Sequence, residues 1–177
     1  DILDISGNGE YTVRMKSGIT ETKDRIRIQS GSPTITITDL NLTNNLPFEI
    51  QDGNVTLKLD GANTFSTSHS DYAALQKGES GTLTITSVQG DGSTYGSLTT
   101  RSGRTGAGIG GRGSYEYDKT AKDPADSANI TINGGTLNIT TQSGAGIGGG
   151  GSSHATYLNG KISGGNGSNI TINGGDI

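Results

Sequence analysis

The chain has no cysteine and no tryptophan, and its 177 residues include only two Phe, three Pro and one Met. Without cysteine there is no disulfide, no thiolate zinc site and no cysteine nucleophile. Without tryptophan, a ligand site built on aromatic stacking falls to the six Tyr. No apolar run approaches the ~18 residues of a membrane-spanning helix. The N-terminal stretch DILDISGNGEYTV has no charged region followed by an apolar one, so no signal peptide is read there. Net charge is −4, which offers no basic footprint for nucleic acid or an anionic membrane.

What the chain does have is small and polar. Gly, Thr, Ser and Asn make up 87 of the residues, a bias that on its own points to low complexity. Charge points the other way, because −4 is too little to hold a chain expanded. The 18 Ile recur in a fixed frame. A small apolar fraction suffices when each residue stacks on a copy of itself, as in a solenoid.

The frame shows as self-similarity. Asn129-Ile-Thr-Ile-Asn-Gly-Gly135 recurs as Asn169-Ile-Thr-Ile-Asn-Gly-Gly175, and Gly106-Ala-Gly-Ile-Gly-Gly111 recurs as Gly144-Ala-Gly-Ile-Gly-Gly149. Between them lies Thr136-Leu-Asn-Ile-Thr-Thr141. Each piece alternates with period 2, which places Ile130, Ile132, Leu137, Ile139, Ala145 and Ile147 inward. Looser copies begin at Thr34, Asn54 and Thr82, with starts that step by 20 and then 28 residues. Turn dipeptides such as Asp52-Gly53 and Gly134-Gly135 punctuate the pattern.

No helical period competes. The expected fold is all-β: a single-stranded right-handed parallel β-helix of about five or six coils, ~22 residues each, with loop insertions. Ile130 is expected beside Ile170, Ile132 beside Ile172, and Asn133 against Asn173 at a corner. One domain is expected over 1–177, with 1–25 as an N-terminal coil or cap, taken from a longer surface protein. The insertions 112–128 and 150–168 leave equivalent corners and are expected to lie side by side, where a solenoid carries its binding residues.

The segments NVTLKLDGANTF, GTLTIT and NITINGGTLNITTQSGAGIGGGG resemble a family of bacterial cell-surface right-handed parallel β-helix domains described as carbohydrate-binding. The likeness covers roughly residues 26–177. It implies an extracellular, non-enzymatic module on the bacterial cell surface that binds polysaccharide, in some relatives with calcium. The family offers no catalytic motif to carry over. The expected function is therefore non-catalytic binding of polysaccharide or host glycan in adhesion. The alternatives are a ligand-free structural stalk and, third, a calcium-dependent polysaccharide lyase. No cofactor is required on this reading, with calcium as an optional ligand. Neither nucleic acid nor membrane insertion is expected, and end-to-end contact at the open C-terminal coil is the expected protein partner.

GAGIGG fits the dinucleotide pattern, but no helical segment follows it. No Asp-Asp or Glu-Asp dipeptide marks a general acid/base pair, though Asp39, Asp52 and Asp60 lie in successive turns. His69 and His154 sit in Ser-rich loops and read as exposed. Asp118, Asp123 and Asp126 are the metal candidates, since calcium takes six to eight oxygens. Tyr115, Tyr117 and Tyr157, with the amide of Asn159, are the candidate sugar platform. Threonine rows at 34–38 and 82–86 resemble the flat arrays of ice-binding solenoids. They are expected to lose register in later coils and to reflect only the strand preference of Thr.

Overall fold

The computed structural model describes residues 1–114, 123–153 and 163–177. The described residues form sixteen strands and no helix. Six strands make sheet A: β1 (Ile2–Ser6), β3 (Arg25–Ser30), β6 (Phe48–Ile50), β9 (Leu75–Lys77), β12 (Ile109–Gly110) and β15 (Ile147–Gly148). Six make sheet B: β2 (Gly9–Arg14), β4 (Pro33–Thr38), β7 (Asn54–Asp60), β10 (Thr82–Ser87), β13 (Ser127–Ile132) and β16 (Gly167–Ile172). Four make sheet C: β5 (Asn41–Asn44), β8 (Ala62–Thr67), β11 (Ser97–Arg101) and β14 (Thr136–Thr140). All pairing between these strands is parallel. From β3 onward the chain visits A, B and C in rotation. The first circuit reaches sheet C through a single parallel bridge, Thr22 to Leu42.

Alternation decides which side chains enter the core. In β4, Pro33, Ile35 and Ile37 are buried while the threonines between them face out. β-Branched residues suit both jobs, because they pack well on a pleated surface. Register then aligns like with like. Ile35, Leu57, Ile85 and Ile132 are neighbours in sheet B, and Ile26, Phe48, Leu75 and Ile109 are neighbours in sheet A. The inner faces of all three sheets share one apolar cluster. Phe48 of sheet A stacks on Phe65 of sheet C, ring centroids 5.2 Å apart. Each large side chain so buried contributes about 1.5–3 kcal/mol before entropy is set against it.

The expected pairs Ile130–Ile170 and Ile132–Ile172 are present, and Asn173 Nδ2 donates to Asn133 Oδ1 at 2.9 Å. Thr34 lies opposite Thr56, a step of 22 residues in line with the expected coil length, and Thr82 lies opposite Asn54, a step of 28. The strand at 54 opens one alternation earlier than its copy at 34. Thr34, Thr56, Thr84, Thr131 and Thr171 form one outward column, but Thr36 and Thr86 both lie opposite Lys58, so the T-x-T arrays as such are not kept in register. Ala145 is exposed and Ile139 and Ile147 are half-buried, because no further strand covers β14 and β15 among the described residues.

Turns from B to C stack as well. Asp39, Gly61, Gly96, Gly135 and Gly175 all hold positive φ, from 49° to 94°, at successive levels. A Cβ at Gly61 would strike the Asp39 carboxylate, which accepts the Ala62 N–H at 2.9 Å. Glycine is therefore required there by space as well as by backbone.

The buried polar side chains include Asn63, Lys77 and Thr100. Asn63, 1% exposed, accepts the Leu40 N–H at 2.9 Å and donates to the carbonyls of Asp60 and Ser97. Lys77, fully buried, donates its Nζ to the carbonyls of Gly78, Ser80 and Gly81 at 2.9–3.2 Å. Burial holds its ammonium below the ordinary lysine range. Thr100, also fully buried, lies between Phe65 and Ile139 in sheet C with no partner for its hydroxyl.

Candidate functional site: a ledge of stacked loops

The links from sheet C back to sheet A change character along the chain. Residues 45–47 join β5 to β6 tightly. The later links, 68–74, 102–108 and 141–146, are longer and lie against one another. Thr105 N–H donates to the Ser70 carbonyl at 2.8 Å, and Ser143 N–H donates to the Arg104 carbonyl at 2.9 Å. Together these loops form a ledge outside the core.

The GAGIGG glycines permit this stacking. A Cβ at Gly106 would collide with the Tyr72 carbonyl, and one at Gly144 would collide with the Gly106 carbonyl. These are close backbone approaches between levels, and among the described residues no helix follows either motif. The glycines thus serve packing at the corner.

Both insertions turn back onto this ledge at their roots. Gly113 N–H donates to the Asp71 carbonyl at 2.7 Å, and Gly151 N–H donates to the Thr105 carbonyl at 2.7 Å. Ser114 and Ser152 form a parallel bridge. On the return side, Gly150 N–H donates to the Ala125 carbonyl and Ser127 N–H to the Asn166 carbonyl. The insertion roots therefore adjoin, as the repeat spacing requires.

The expected site residues divide accordingly. Tyr115, Tyr117, Asp118, Tyr157 and Asn159 lie outside the described residues, as does His154. Asp126 is half-buried, and its Oδ1 accepts the Asn166 N–H at 2.6 Å, tying one insertion root to the next. Asp123 is exposed, and its carbonyl accepts a long 3.5 Å bond from Arg112. Among the described residues no three His, Cys, Asp or Glu side chains gather as a metal-binding group. Asp39 and Asp60 share the B-to-C corner, whereas Asp52 caps its own Gly53 N–H at the A-to-B corner. The three acids are not brought together. At the first of these corners Tyr95 donates its hydroxyl to Asp60 at 2.9 Å, and this bond raises its pKa.

His69 departs from its expectation as an exposed loop residue. It is half-buried and its ring lies on Tyr72, centroids 4.4 Å apart and planes tilted by 35°. Its Nδ1 accepts the Asp71 N–H at 3.2 Å, and its own N–H donates to Thr67 Oγ1 at 3.1 Å. Thr67 and Ser68 in turn donate to Asn45 at 2.6 and 3.0 Å. The run His69-Ser70-Asp71-Tyr72 carries two rings and a carboxylate within four residues, the one sequence signal that this loop holds chemistry.

Elsewhere the outer face of sheet A carries ion pairs. Arg27 grips Asp4 through both oxygens at 2.6 and 2.7 Å, and this hydrogen bonding holds the Asp4 carboxyl below its usual range. Arg25 pairs with Glu49. An apolar opening of about 530 Å³ at the β1–β2 end, lined among others by Leu3, Val13, Met15, Ile19 and Leu42, shares no residue with the ledge.

Comparison with family models, with characterised proteins and with solved structures finds no match.

Proposed function

We propose that the chain is a right-handed parallel β-helix acting as a non-catalytic extracellular module that binds polysaccharide or glycan on a bacterial surface. The rotation of the chain through three parallel sheets supports the helix reading. One observation carries the functional reading. Three lengthened loops and the roots of both insertions meet on a single ledge, whereas the B-to-C links at 39–40, 61 and 133–135 are short and only 88–96 is long. Much of the extra chain length starts or ends on this ledge, and solenoids present binding residues on such a face.

A structural stalk is the second reading. It draws support from the unbroken side-chain columns along the stacking direction, which suit a rod.

Affinity electrophoresis against plant polysaccharides and host glycans, in calcium and then in chelator, separates the two. Retention by at least one glycan is expected of the binding module. Retention lost in chelator adds a metal. No retardation in either condition contradicts the binding reading and leaves the stalk.

A further inference from the structure

We infer that His69, Tyr72 and Asp71 form a sugar subsite on the ledge, taking one neutral pyranose unit of a glycan; this rests on the glycan-binding reading above. The two rings lie in tilted contact outside the core, whose own aromatic stack is Phe48 on Phe65. Both are half-buried, so each is anchored and still reaches solvent. Ala73 and Ala74 directly after them are fully buried and fix the loop to the core.

The backbone of this loop is bonded on several sides before any ligand arrives. Ser70 and Asp71 carbonyls accept from Thr105 and Gly113, the Tyr72 carbonyl accepts from Gly103, and Thr67 and Ser68 hold Asn45. A Cβ at Gly103 would strike the His69 carbonyl, so the neighbouring loop is pressed against this one. A loop ordered in advance loses little entropy on binding. Aromatic rings in a loop that also carries a carboxylate match a pyranose ring: its C–H face lies on a ring and its hydroxyls donate to an acceptor. Asp71 Oδ1 takes only a long 3.4 Å bond from Thr105, which leaves the carboxylate acceptor capacity. A carboxylate at the site selects neutral over acidic sugars.

The chemistry of His69 supplies a clean variant. Its Nδ1 accepts the N–H two residues on, the bond that an Asn side chain makes in an Asx-turn. His69→Asn therefore keeps the loop and removes the ring. Tyr72→Ala removes the second ring, and Tyr72→Phe keeps it. The probes are cellohexaose, mannohexaose and an oligogalacturonate, titrated into the full chain and read by calorimetry and by the imidazole proton resonances. The chain has two histidines, so His154→Gln assigns the signals.

The proposal predicts that a neutral hexaose binds and moves the His69 resonance. His69→Asn and Tyr72→Ala each weaken that binding about tenfold. Tyr72→Phe and His69→Asn leave the melting curve within a few degrees of the parent. Unchanged affinity in both ring-removing variants overturns the subsite while leaving glycan binding in place. Binding of the oligogalacturonate alone overturns it too. Absence of binding by any neutral hexaose overturns it, and the broader reading falls with it only if the polysaccharide panel also fails.

Discussion

Asn169 donates its Nδ2 to Asn129 Oδ1 at 3.0 Å across one level of sheet B, and both residues hold left-handed backbone, φ 50° and 59°. Asn129 Nδ2 reaches a level further back, to the carbonyls of Glu79 and Gly81 at 3.3 Å. One side-chain type thus satisfies a strained backbone and links three levels. Asparagine tolerates this conformation where most residues do not.

Asn129→Ala is expected to destabilise the chain by about 2 kcal/mol, from left-handed strain plus lost bonds. Asn129→Gly relieves the strain and is expected to cost less. Urea unfolding of the two variants checks the order. Equal losses would assign the whole effect to the hydrogen bonds.

Thr100→Val is expected to stabilise by roughly 1 kcal/mol, because the hydroxyl it removes is buried without a partner while the shape stays the same. An upward shift of the urea midpoint with unchanged slope is the expected result. A downward shift would mean that the hydroxyl is satisfied.

Lys77 gives the interior a pH dependence. Burial lowers its pKa in the folded chain, so between that value and the ordinary lysine value the unfolded chain holds more protons. Stability from this group is full above the unfolded value and is lost as pH falls through the folded one. Unfolding free energy is expected to rise with pH on the alkaline side of neutrality, and Lys77→Met is expected to flatten that rise. Denaturation measured from pH 7 to 10 in both proteins reads the difference. An equal slope in the variant would assign the rise to other groups.

Much of the stacking was legible in the residues. NITINGG, repeated with Ile at alternate positions, forecast the Ile130–Ile170 and Asn133–Asn173 neighbours, because a parallel ladder in register turns sequence identity into contact. The early strands were less legible. Thr34 and Asn54 open similar segments, but strand pairing is fixed by the whole corner and set Thr34 against Thr56. Period-2 alternation also marks Lys77 and Thr100 as inward without telling how a polar atom would fare there. The His69–Tyr72 contact depends on loop geometry, which local pattern does not encode. The tyrosines favoured from sequence, 115, 117 and 157, lie outside the described residues.

Hydrogen exchange with and without a polysaccharide retained by the chain tests the ledge most directly. The account predicts slowed exchange confined to the loops 68–74 and 102–108 and to the insertions, with the outer threonine face of sheet B unchanged. Protection centred on the column Thr34, Thr56, Thr84 and Thr131, with the loops unaffected, would contradict it.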